Sequence, residues 1–292
     1  MSIAVIINPI AGGKRPETAR AHAELAAAVI GSSREAGEVF VTERKDHARE
    51  LASVAVQRGC RLVVAWGGDG TVNEIGSALV SRDTALAIVP AGSGNGLARA
   101  LGVARDPRQA ILEAVRATPR HIDAGDIDGH LFFSLAGVGF DAHVAGCFDR
   151  EKVGGRGLAG YVRIVARELA RYKCAEYRID GADASKRALL VTIANSPQFG
   201  NGAVIAPGAR LDDGHLDLVV FEEVSRVRTL LAVPRLFTGG VASLRGVSIR
   251  PIESATIESD APIAFHVDGE PFAGGTRLVA VVKPGVLRVS IR

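Results

Sequence analysis

The run Trp66-Gly67-Gly68-Asp69-Gly70-Thr71-Val72-Asn73-Glu74 restricts most strongly how this chain can fold. It follows an apolar, strand-like segment, 61–65, and leads into a helical pattern formed by Val72, Ile75 and Leu79. Three glycines at a strand-to-helix turn let a ligand come close to the backbone. Because the first N–H groups of a helix are unpaired and its dipole is positive there, such a turn binds phosphate. A tight turn has a similar composition, but the helical continuation favours a nucleotide site.

Strand and helix patterns alternate through the first part of the chain, up to residue 122. Such alternation predicts a parallel sheet that is covered by helices on both faces. The predicted strands are 3–7, 38–42, 62–66 and 85–90, and the predicted helices are 16–30, 47–58, 72–80, 97–101 and 106–117.

After residue 122 the pattern changes to short strands separated by Gly, Pro, Asp and Asn, which is typical of an antiparallel β-sandwich. We therefore predict a nucleotide-binding α/β domain, 1–122, with three layers around a parallel sheet. A β-sandwich domain, 123–292, follows, and its last strand can return to the first domain. The predicted strands are 131–136, 176–179, 188–194, 216–221, 247–249, 255–258, 263–267 and 278–282, with helices at 157–172 and 226–236.

Composition excludes several classes of protein. A length of 292 residues suggests two domains, and a net charge of +3 is too small for a strongly basic nucleic-acid surface. The three cysteines, Cys60, Cys147 and Cys174, have no metal-binding spacing and are interpreted as buried thiols in a reducing compartment. No apolar stretch approaches the roughly 20 residues that span a bilayer. We therefore expect a soluble, cytoplasmic protein, and any contact with lipid would be made from the membrane surface.

Four turns follow the predicted strands of the first domain, at 8–14, after Thr42, at 67–71 and at 92–96. In a parallel sheet these turns lie along one edge, and ligands bind in the crevice beyond it. The chain has no GxxxxGK[ST] sequence, so it is not a P-loop enzyme. The turn at 92–96 also lacks the GxGxxG spacing of dinucleotide-binding enzymes.

Several motifs in order resemble one family. These are Asn8-Pro-x-Ala-Gly-Gly-Lys14, Gly67-Gly-Asp-Gly-Thr-x-Asn-Glu74, Pro90-Ala-Gly-Ser-Gly-Asn95 and Val267-Asp-Gly-Glu270. The chain resembles the catalytic domain of diacylglycerol and sphingosine kinases, especially the soluble bacterial lipid kinases. The resemblance covers nearly the whole chain, including 134–141 and 195–217. Gly-Gly-Asp-Gly by itself also occurs in NAD kinases and phosphofructokinases.

The resemblance implies an ATP site in the first domain. Backbone N–H groups and glycines suit this role, because a triphosphate needs many donors and little side-chain bulk. The residues that the resemblance assigns to ATP are Thr42, Gly67, Gly68, Asp69, Gly70, Thr71, Val72, Asn73 and Ser93, with Asn8 and Lys14 near the phosphates.

The resemblance implies that the second domain, 123–292, binds the lipid substrate. It also implies a general base and a magnesium site in this domain. Asp268 or Glu270 takes the proton of the lipid hydroxyl, although Asp-Gly by itself indicates a hairpin turn. A structural Mg²⁺ is bound by the Asp213 carboxylate and the backbone carbonyls of Arg210 and His215, which are hard oxygen ligands. A solvated acidic turn is the alternative interpretation of 210–215.

One departure from the family pattern leaves the lipid acceptor open. Diacylglycerol-type members read Gly-Thr-Gly-Asn-Asp where this chain has Gly92-Ser-Gly-Asn-Gly96. The missing acidic residue belongs to a water–magnesium network, of which Asp69 and Asp123 hold the other two positions. The Gly-Ser-Gly-Asn turn resembles sphingosine- and ceramide-type members.

We therefore predict an ATP- and Mg²⁺-dependent kinase that phosphorylates a diacylglycerol-like lipid, with its carboxylate base in a cleft between the domains. The alternatives are a sphingoid-base or ceramide-type kinase, an NAD kinase-like enzyme, and a non-catalytic nucleotide- or lipid-binding regulator. The expected partners are a lipid substrate and, transiently, the membrane surface, but no nucleic acid. A homodimer is compatible with the sequence.

The predicted helix 158–172 carries Arg163, Arg167 and Arg171 in one stripe. Such a stripe opposite an apolar face can lie on an anionic membrane. A solvated face on a helix that packs against a core has the same pattern and is the preferred interpretation.

Overall fold

The computed structural model describes residues 2–11, 17–33, 35–151, 158–200 and 202–292. The chain forms two compact units, Met1–Ile122 together with Gly285–Arg292, and Asp123–Pro284. None of the helices in these ranges is both long and apolar enough to cross a bilayer.

The first unit is built on a parallel sheet with the strand order β2-β1-β3-β4. Val289, in the last strand of the chain, pairs in parallel with Leu86 and extends this sheet. The strands are β1 (Ser2–Ile7), β2 (Ala36–Val41), β3 (Cys60–Gly67) and β4 (Ala85–Pro90), and the helices are α1 (Glu17–Ser32), α2 (His47–Gln57), α3 (Asp69–Leu79), α4 (Gly96–Ala100) and α5 (Pro107–Arg116).

Helices cover both faces of this sheet. Ile3, Val5 and Ile7 form a buried cluster with apolar residues of α1 and α5. Because successive strand residues point to opposite faces, Ala4 and Ile6 face the other layer, where α2 and α3 pack on the sheet. The predicted three-layer α/β fold is confirmed.

The second unit is an antiparallel β-sandwich-like domain, as predicted. The strands from residue 120 onward are β5 (Arg120–Ile127), β6 (His130–Phe132), β7 (Leu135–Gly139), β8 (Ala175–Ile179), β9 (Lys186–Ala194), β10 (Gln198–Gly200), β11 (Ala203–Val204), β12 (Leu216–Glu222), β13 (Val247–Ile252), β14 (Ser254–Glu258), β15 (Ala264–Val267), β16 (Glu270–Ala273) and β17 (Arg277–Val289). Of these, β5 begins and β17 ends in the first unit. The strand order β16-β15-β7-β9-β8-β14-β17 joins two groups of strands through β8. Both groups line the main core, with Val191 and Phe265 on one side of β8 and Ile257 and Leu278 on the other.

Three helices accompany these strands: α6 (Phe140–Glu151), α7 (Leu158–Leu169) and α8 (Arg226–Thr238). The first two share a small core that includes Val144 and Ile164. The third contacts β11 and the short 3-10 helix Gly240–Ser243.

Some predictions for this unit were wrong. The predicted strand 131–136 is two strands, because residues 133 and 134 leave the sheet to bind the Asp268 carboxylate. Helix α6 was not predicted, although Phe140, Val144 and Cys147 have helical spacing and are buried. Cys174 is only half-buried, whereas Cys60 and Cys147 are buried as expected. Residues 16 and 157, at the starts of two predicted helices, lie outside the described residues.

Candidate active site

Hydrogen bonds tie the loop after β1 to the turn after β3. The Asn8 side chain donates through Nδ2 to Thr71 Oγ1 at 2.9 Å, and its Oδ1 accepts the Ile10 N–H at 3.1 Å. The Asn8 backbone N–H donates to the Trp66 carbonyl. Asn8 therefore holds two of the predicted ATP-binding loops in register.

Close backbone approach explains several glycines of the motif. A Cβ on Gly92 would lie 2.6 Å from the Cα of Gly68, and a Cβ on Gly67 would lie 2.5 Å from Thr71 atoms. Side chains at these positions would overlap neighbouring atoms. Gly70, in contrast, is exposed, and a Cβ there would meet nothing within 4 Å. The protein itself therefore does not require glycine at position 70.

Asp69 connects the turn after β3 to the loop after β4. Its carboxylate accepts the N–H groups of Asn95 at 2.8 Å and Gly96 at 2.7 Å. The Asn95 side chain closes the same loop through two hydrogen bonds with the backbone of Gly92. Asp69 thus shapes the 92–96 loop, and Ser93 is exposed within it.

The other predicted ATP-binding residues occupy different environments. The Val72 side chain is buried and faces the core. Its backbone N–H donates to the Gly68 carbonyl. Thr42 is buried directly after β2, and Asn73 is half-buried on α3. Lys14 lies outside the described residues.

Glu74 positions the segment that follows Thr42. Its Oε2 accepts the Ala48 N–H at 3.1 Å, and the backbone groups of Asp46 and Arg49 also donate to this carboxylate. Burial raises the pKa of Glu74, and these hydrogen bonds partly oppose the shift. Asp46 has a positive φ of 62° and makes no side-chain cap, so Glu74 supplies the cap that α2 lacks. Nothing in the sequence near Asp46 indicates that this cap comes from α3.

In the second unit, Asp123 anchors the predicted magnesium loop. It is buried, accepts the Gly214 N–H at 2.7 Å and donates its own N–H to the Leu211 carbonyl at 2.6 Å. Asp213 Oδ1 accepts the His215 N–H at 3.1 Å, and the His215 ring donates from Nδ1 to the Asp213 carbonyl. The 210–215 segment is therefore a compact turn around Asp213.

The chemistry of this turn fits a hard cation. The donors that the resemblance assigns, one carboxylate and two carbonyl groups, are all oxygens. The pKa of nearby Asp217 is raised, first by burial and then by the negative charge of Asp213. A divalent cation held at Asp213 would relieve this repulsion.

The predicted base lies in a hairpin. Asp268 and Gly269 form a two-residue turn between β15 and β16, with positive φ angles of 48° and 89° as in a type I′ turn. The Asp268 carboxylate accepts the N–H groups of Phe133 at 3.0 Å, Ser134 at 2.9 Å and Leu135 at 3.1 Å. Both Asp268 oxygens therefore hold the 133–135 backbone. The half-buried Glu270 begins β16.

A buried polar group beside this hairpin was missed by the sequence analysis. His266 accepts the Gly269 N–H at Nδ1, so its proton is on Nε2, 3.2 Å from Asp141 Oδ2. Nε2 makes no hydrogen bond of good geometry with the part of the chain that the structure describes, although the Asp141 carboxylate lies beside it. Thr192 donates to the same Asp141 oxygen at 3.1 Å. Alternation in β15 places His266 on the face opposite the core residues Phe265 and Val267, so nothing in the sequence indicates that His266 is buried.

A second cluster of polar side chains joins α6 to α7. Ligand atoms of His143, Cys147 and Glu168 lie within 4.8 Å of one another. The Glu168 carboxylate binds His143 Nε2 at 2.8 Å and Arg167 Nε at 2.7 Å. These two partners lower the pKa of Glu168. The cluster is therefore explained as a hydrogen-bonded contact between His143 of α6 and Glu168 of α7.

Comparison with known proteins assigns both parts of the chain. Residues 2–127 match the family described as "Diacylglycerol kinase catalytic domain", and residues 134–291 match "YegS C-terminal NAD kinase beta sandwich-like domain".

Relatives and solved structures agree with these matches. A protein of Pseudomonas aeruginosa named "Probable lipid kinase YegS-like" is 32% identical over 276 residues, which cover 90% of this chain and 88% of that protein. A relative of the same name from Pseudomonas syringae pv. tomato is 32% identical and covers 87% of this chain and 83% of its own length. A crystal structure of a diacylglycerol kinase from Bacillus anthracis str. Sterne matches the fold with a TM-score of 0.74 and 18% identity, over 100% of this chain and 97% of that chain. The chain belongs to the family of YegS-like lipid kinases.

Proposed function

We propose that this protein is an ATP-dependent kinase that phosphorylates the hydroxyl group of a diacylglycerol-like lipid. The observation that carries the proposal is the interlocked pair of loops in the first unit, where Gly68 meets Gly92 and Asp69 holds Asn95 and Gly96. Family membership supports a lipid as the acceptor, because the relatives are named as lipid kinases.

The triphosphate of ATP would lie against the backbone of 67–71 and 92–95. Gly70 supports this placement, because the open space at its Cα is not needed by the protein itself. Backbone N–H groups and the start of α3 supply donors for phosphate oxygens. Phosphoryl transfer depends mostly on such positioning and on charge neutralisation.

Magnesium would have two roles. Mg²⁺ bound with ATP would neutralise part of the negative charge of the phosphates. A structural Mg²⁺ would be held by the Asp213 carboxylate and the carbonyl groups of Arg210 and His215. Because Asp123 anchors the same loop, this ion would stabilise the segment that leads into β12.

We assign the base to Glu270 and a positioning role to Asp268. The three backbone N–H groups bound by Asp268 support this division, since that carboxylate already shapes residues 133–135. Glu270, two residues later, would take the proton from the lipid hydroxyl as the phosphoryl group is transferred. The proposal requires the terminal phosphate to reach the hydroxyl beside Glu270 in one cleft during turnover.

The test is transfer of labelled phosphate from ATP to a panel of diacylglycerols, sphingoid bases, ceramides and NAD. Phosphorylation of a diacylglycerol is expected. Labelling of NAD alone would support an NAD kinase-like enzyme, and absence of transfer to every acceptor would support a non-catalytic regulator.

Two variants identify the base. We expect Glu270→Gln to lower kcat by about 10²–10⁴-fold while ATP still binds, because the proton acceptor is lost. Asp268→Asn keeps the shape and part of the hydrogen bonding. If Asp268→Asn, with unchanged thermal stability, loses activity and Glu270→Gln does not, the two roles are reversed.

A sphingoid-base or ceramide acceptor is the second candidate. The Gly92-Ser-Gly-Asn-Gly96 turn favours it, because this turn resembles that of sphingosine- and ceramide-type kinases and Gly96 has no carboxylate, only a backbone N–H that Asp69 accepts. The same lipid panel decides between the acceptors.

A further inference from the structure

Helix α8 exposes large apolar side chains. Leu231 is 72% exposed, Leu230 is 54% exposed and Phe237 is 49% exposed. Of the α8 side chains that the structure describes, at 226 and 228–238, none is buried. A surface helix normally turns its apolar residues towards the core. An exposed apolar patch of this kind marks an interaction surface.

The exposed residues form one face with arginines at its edges. At 3.6 residues per turn, Leu230, Leu231, Pro234 and Phe237 fall within roughly 120° of each other around the helix axis. The guanidinium groups lie on either side of this apolar face, with Arg226 at one edge and Arg228 and Arg235 at the other.

The charge of α8 has a single sign. The helix contains three arginines and no Asp or Glu, although the whole chain has a net charge of only +3. In the part of the chain that the structure describes, no carboxylate pairs with Arg226, Arg228 or Arg235, and all three are exposed. The surface is therefore both apolar and cationic.

We propose that α8 docks on an anionic lipid surface. Its apolar face would enter the head-group region, and the flanking arginines would bind lipid phosphates, as in interfacial amphipathic helices. A second copy of the chain fits this face poorly, because symmetric pairing would bring like charges together. The inference rests on the proposed function and deepens it, since it names the element by which a lipid kinase would reach its membrane.

Helix α7, whose arginine stripe resembles a membrane-binding pattern, does not offer such a face in its described part. Ile164 and Leu169 are buried in the core that α7 shares with α6. Arg167 is paired with Glu168.

The test is sedimentation of the full-length protein with vesicles of phosphatidylcholine alone or of equal parts phosphatidylcholine and phosphatidylglycerol. The protein is expected to bind the anionic vesicles more strongly. Leu230→Ser/Leu231→Ser should weaken that binding by about tenfold or more, because two side chains no longer leave water. Arg226→Ala/Arg228→Ala should weaken binding to anionic vesicles about tenfold and leave binding to neutral vesicles nearly unchanged.

The matched control is Arg105→Ala/Arg108→Ala, which removes two exposed arginines from the first unit. It should bind as the unchanged protein does. An equal loss in this control would mean that net charge alone drives binding and would overturn the proposal. Full binding by the leucine variant would also overturn it, as would a wild-type protein that stays in solution with anionic vesicles.

Two further measurements distinguish membrane binding by α8 from self-association of the protein and from the kinase activity itself. If the leucine variant converts a dimer to a monomer in analytical ultracentrifugation and still binds vesicles, the face is a contact between copies and the proposal fails. Phosphorylation of a short-chain diacylglycerol in solution tests the kinase independently. If the α8 variants phosphorylate this soluble lipid as fast as the wild type does, the proposed kinase function stands whatever the vesicle experiment shows. If the wild type does not phosphorylate it, the proposed function is wrong.

Discussion

At the scale of single residues, the glycines of the predicted nucleotide-binding loops separate into two kinds. Gly67 and Gly92 are required by neighbouring protein atoms, because any Cβ there would overlap them. Gly70 faces open space and does not have a positive φ. The fold therefore does not require glycine at this position, whereas the proposed contact with phosphate would.

This difference predicts opposite effects of the same substitution. Gly92→Ala should lower the free energy of unfolding by about 1–3 kcal/mol, because the overlapping atom belongs to the Gly68 backbone. Gly70→Ala should leave stability unchanged or raise it by up to ~1 kcal/mol, because Ala is favoured within a helix. Urea unfolding measures both values. Calorimetric titration with ATP should then show weaker binding to Gly70→Ala, and unchanged affinity would remove Gly70 from the phosphate site.

Asp268 and Glu270 should also differ in stability measurements. Asp268→Ala leaves three backbone N–H groups without their acceptor, which should cost about 2–4 kcal/mol. Glu270→Ala should cost less than Asp268→Ala, because Glu270 is only half-buried at the start of β16. Thermal unfolding of both variants checks this. A larger loss for Glu270→Ala than for Asp268→Ala would contradict the positioning role of Asp268.

At the scale of elements, the start of α2 depends on a side chain of α3. Glu74→Ala removes the acceptor for the N–H groups at this helix start, so we expect a loss of about 0.5–2 kcal/mol. Glu74→Gln retains an acceptor and is the control. Equal stability of the alanine variant and the wild type in urea unfolding would show that water replaces Glu74.

Glu74 also predicts a pH dependence. Because burial raises its pKa above the model-peptide value of 4.5, the native state binds this proton more tightly than the unfolded chain. Its contribution to stability is therefore greatest below pH 4.5 and decreases as the pH rises through the raised pKa. Glu74→Gln should remove this decrease, measured as the difference between the urea midpoints of variant and wild type across the acidic range. A constant difference would contradict the prediction.

Elements with strong local signals were predicted well. Strand β4 was predicted at its observed bounds, 85–90, because an apolar run ends at Pro90. Helix α8 begins at Arg226 as predicted. The split between β6 and β7 could not be predicted from 131–136, because Asp268, the residue that causes it, is distant in sequence. The same holds for the cap of α2 by Glu74.

At the scale of the whole molecule, the C-terminal residues of the chain belong to the first unit. The N–H of Ser290 donates to the Leu86 carbonyl, and its hydroxyl donates to the Ala114 carbonyl. Leu287 and Val289 are fully buried in this unit. The first unit is therefore completed by residues that follow the second one in the sequence.

Truncation of the chain after Pro284 should therefore destabilise the first unit. Loss of Leu287 and Val289 alone removes about 3–6 kcal/mol of apolar burial, a large share of the 5–15 kcal/mol typical of proteins. A chain that ends at Ser290 loses only one half-buried and one exposed residue and is the control. Limited proteolysis should cleave the shorter chain rapidly between residues 1 and 122. Equal resistance of the two chains would show that this unit folds without its last strand.

The amino-acid sequence alone determined the two fold classes and the glycine turns, because hydrophobic periodicity and turn chemistry are local properties that short segments carry. Tertiary structure alone decided which motif residues shape the loops and which, such as Gly70, border open space. Asp69, Glu74 and Asp268 are acidic residues of the recognised motifs, yet each binds backbone N–H groups of a distant segment. Those partners come close only when the chain folds. For this physical reason a motif indicates where chemistry is expected, but it does not indicate which of its atoms are already used in contacts within the protein.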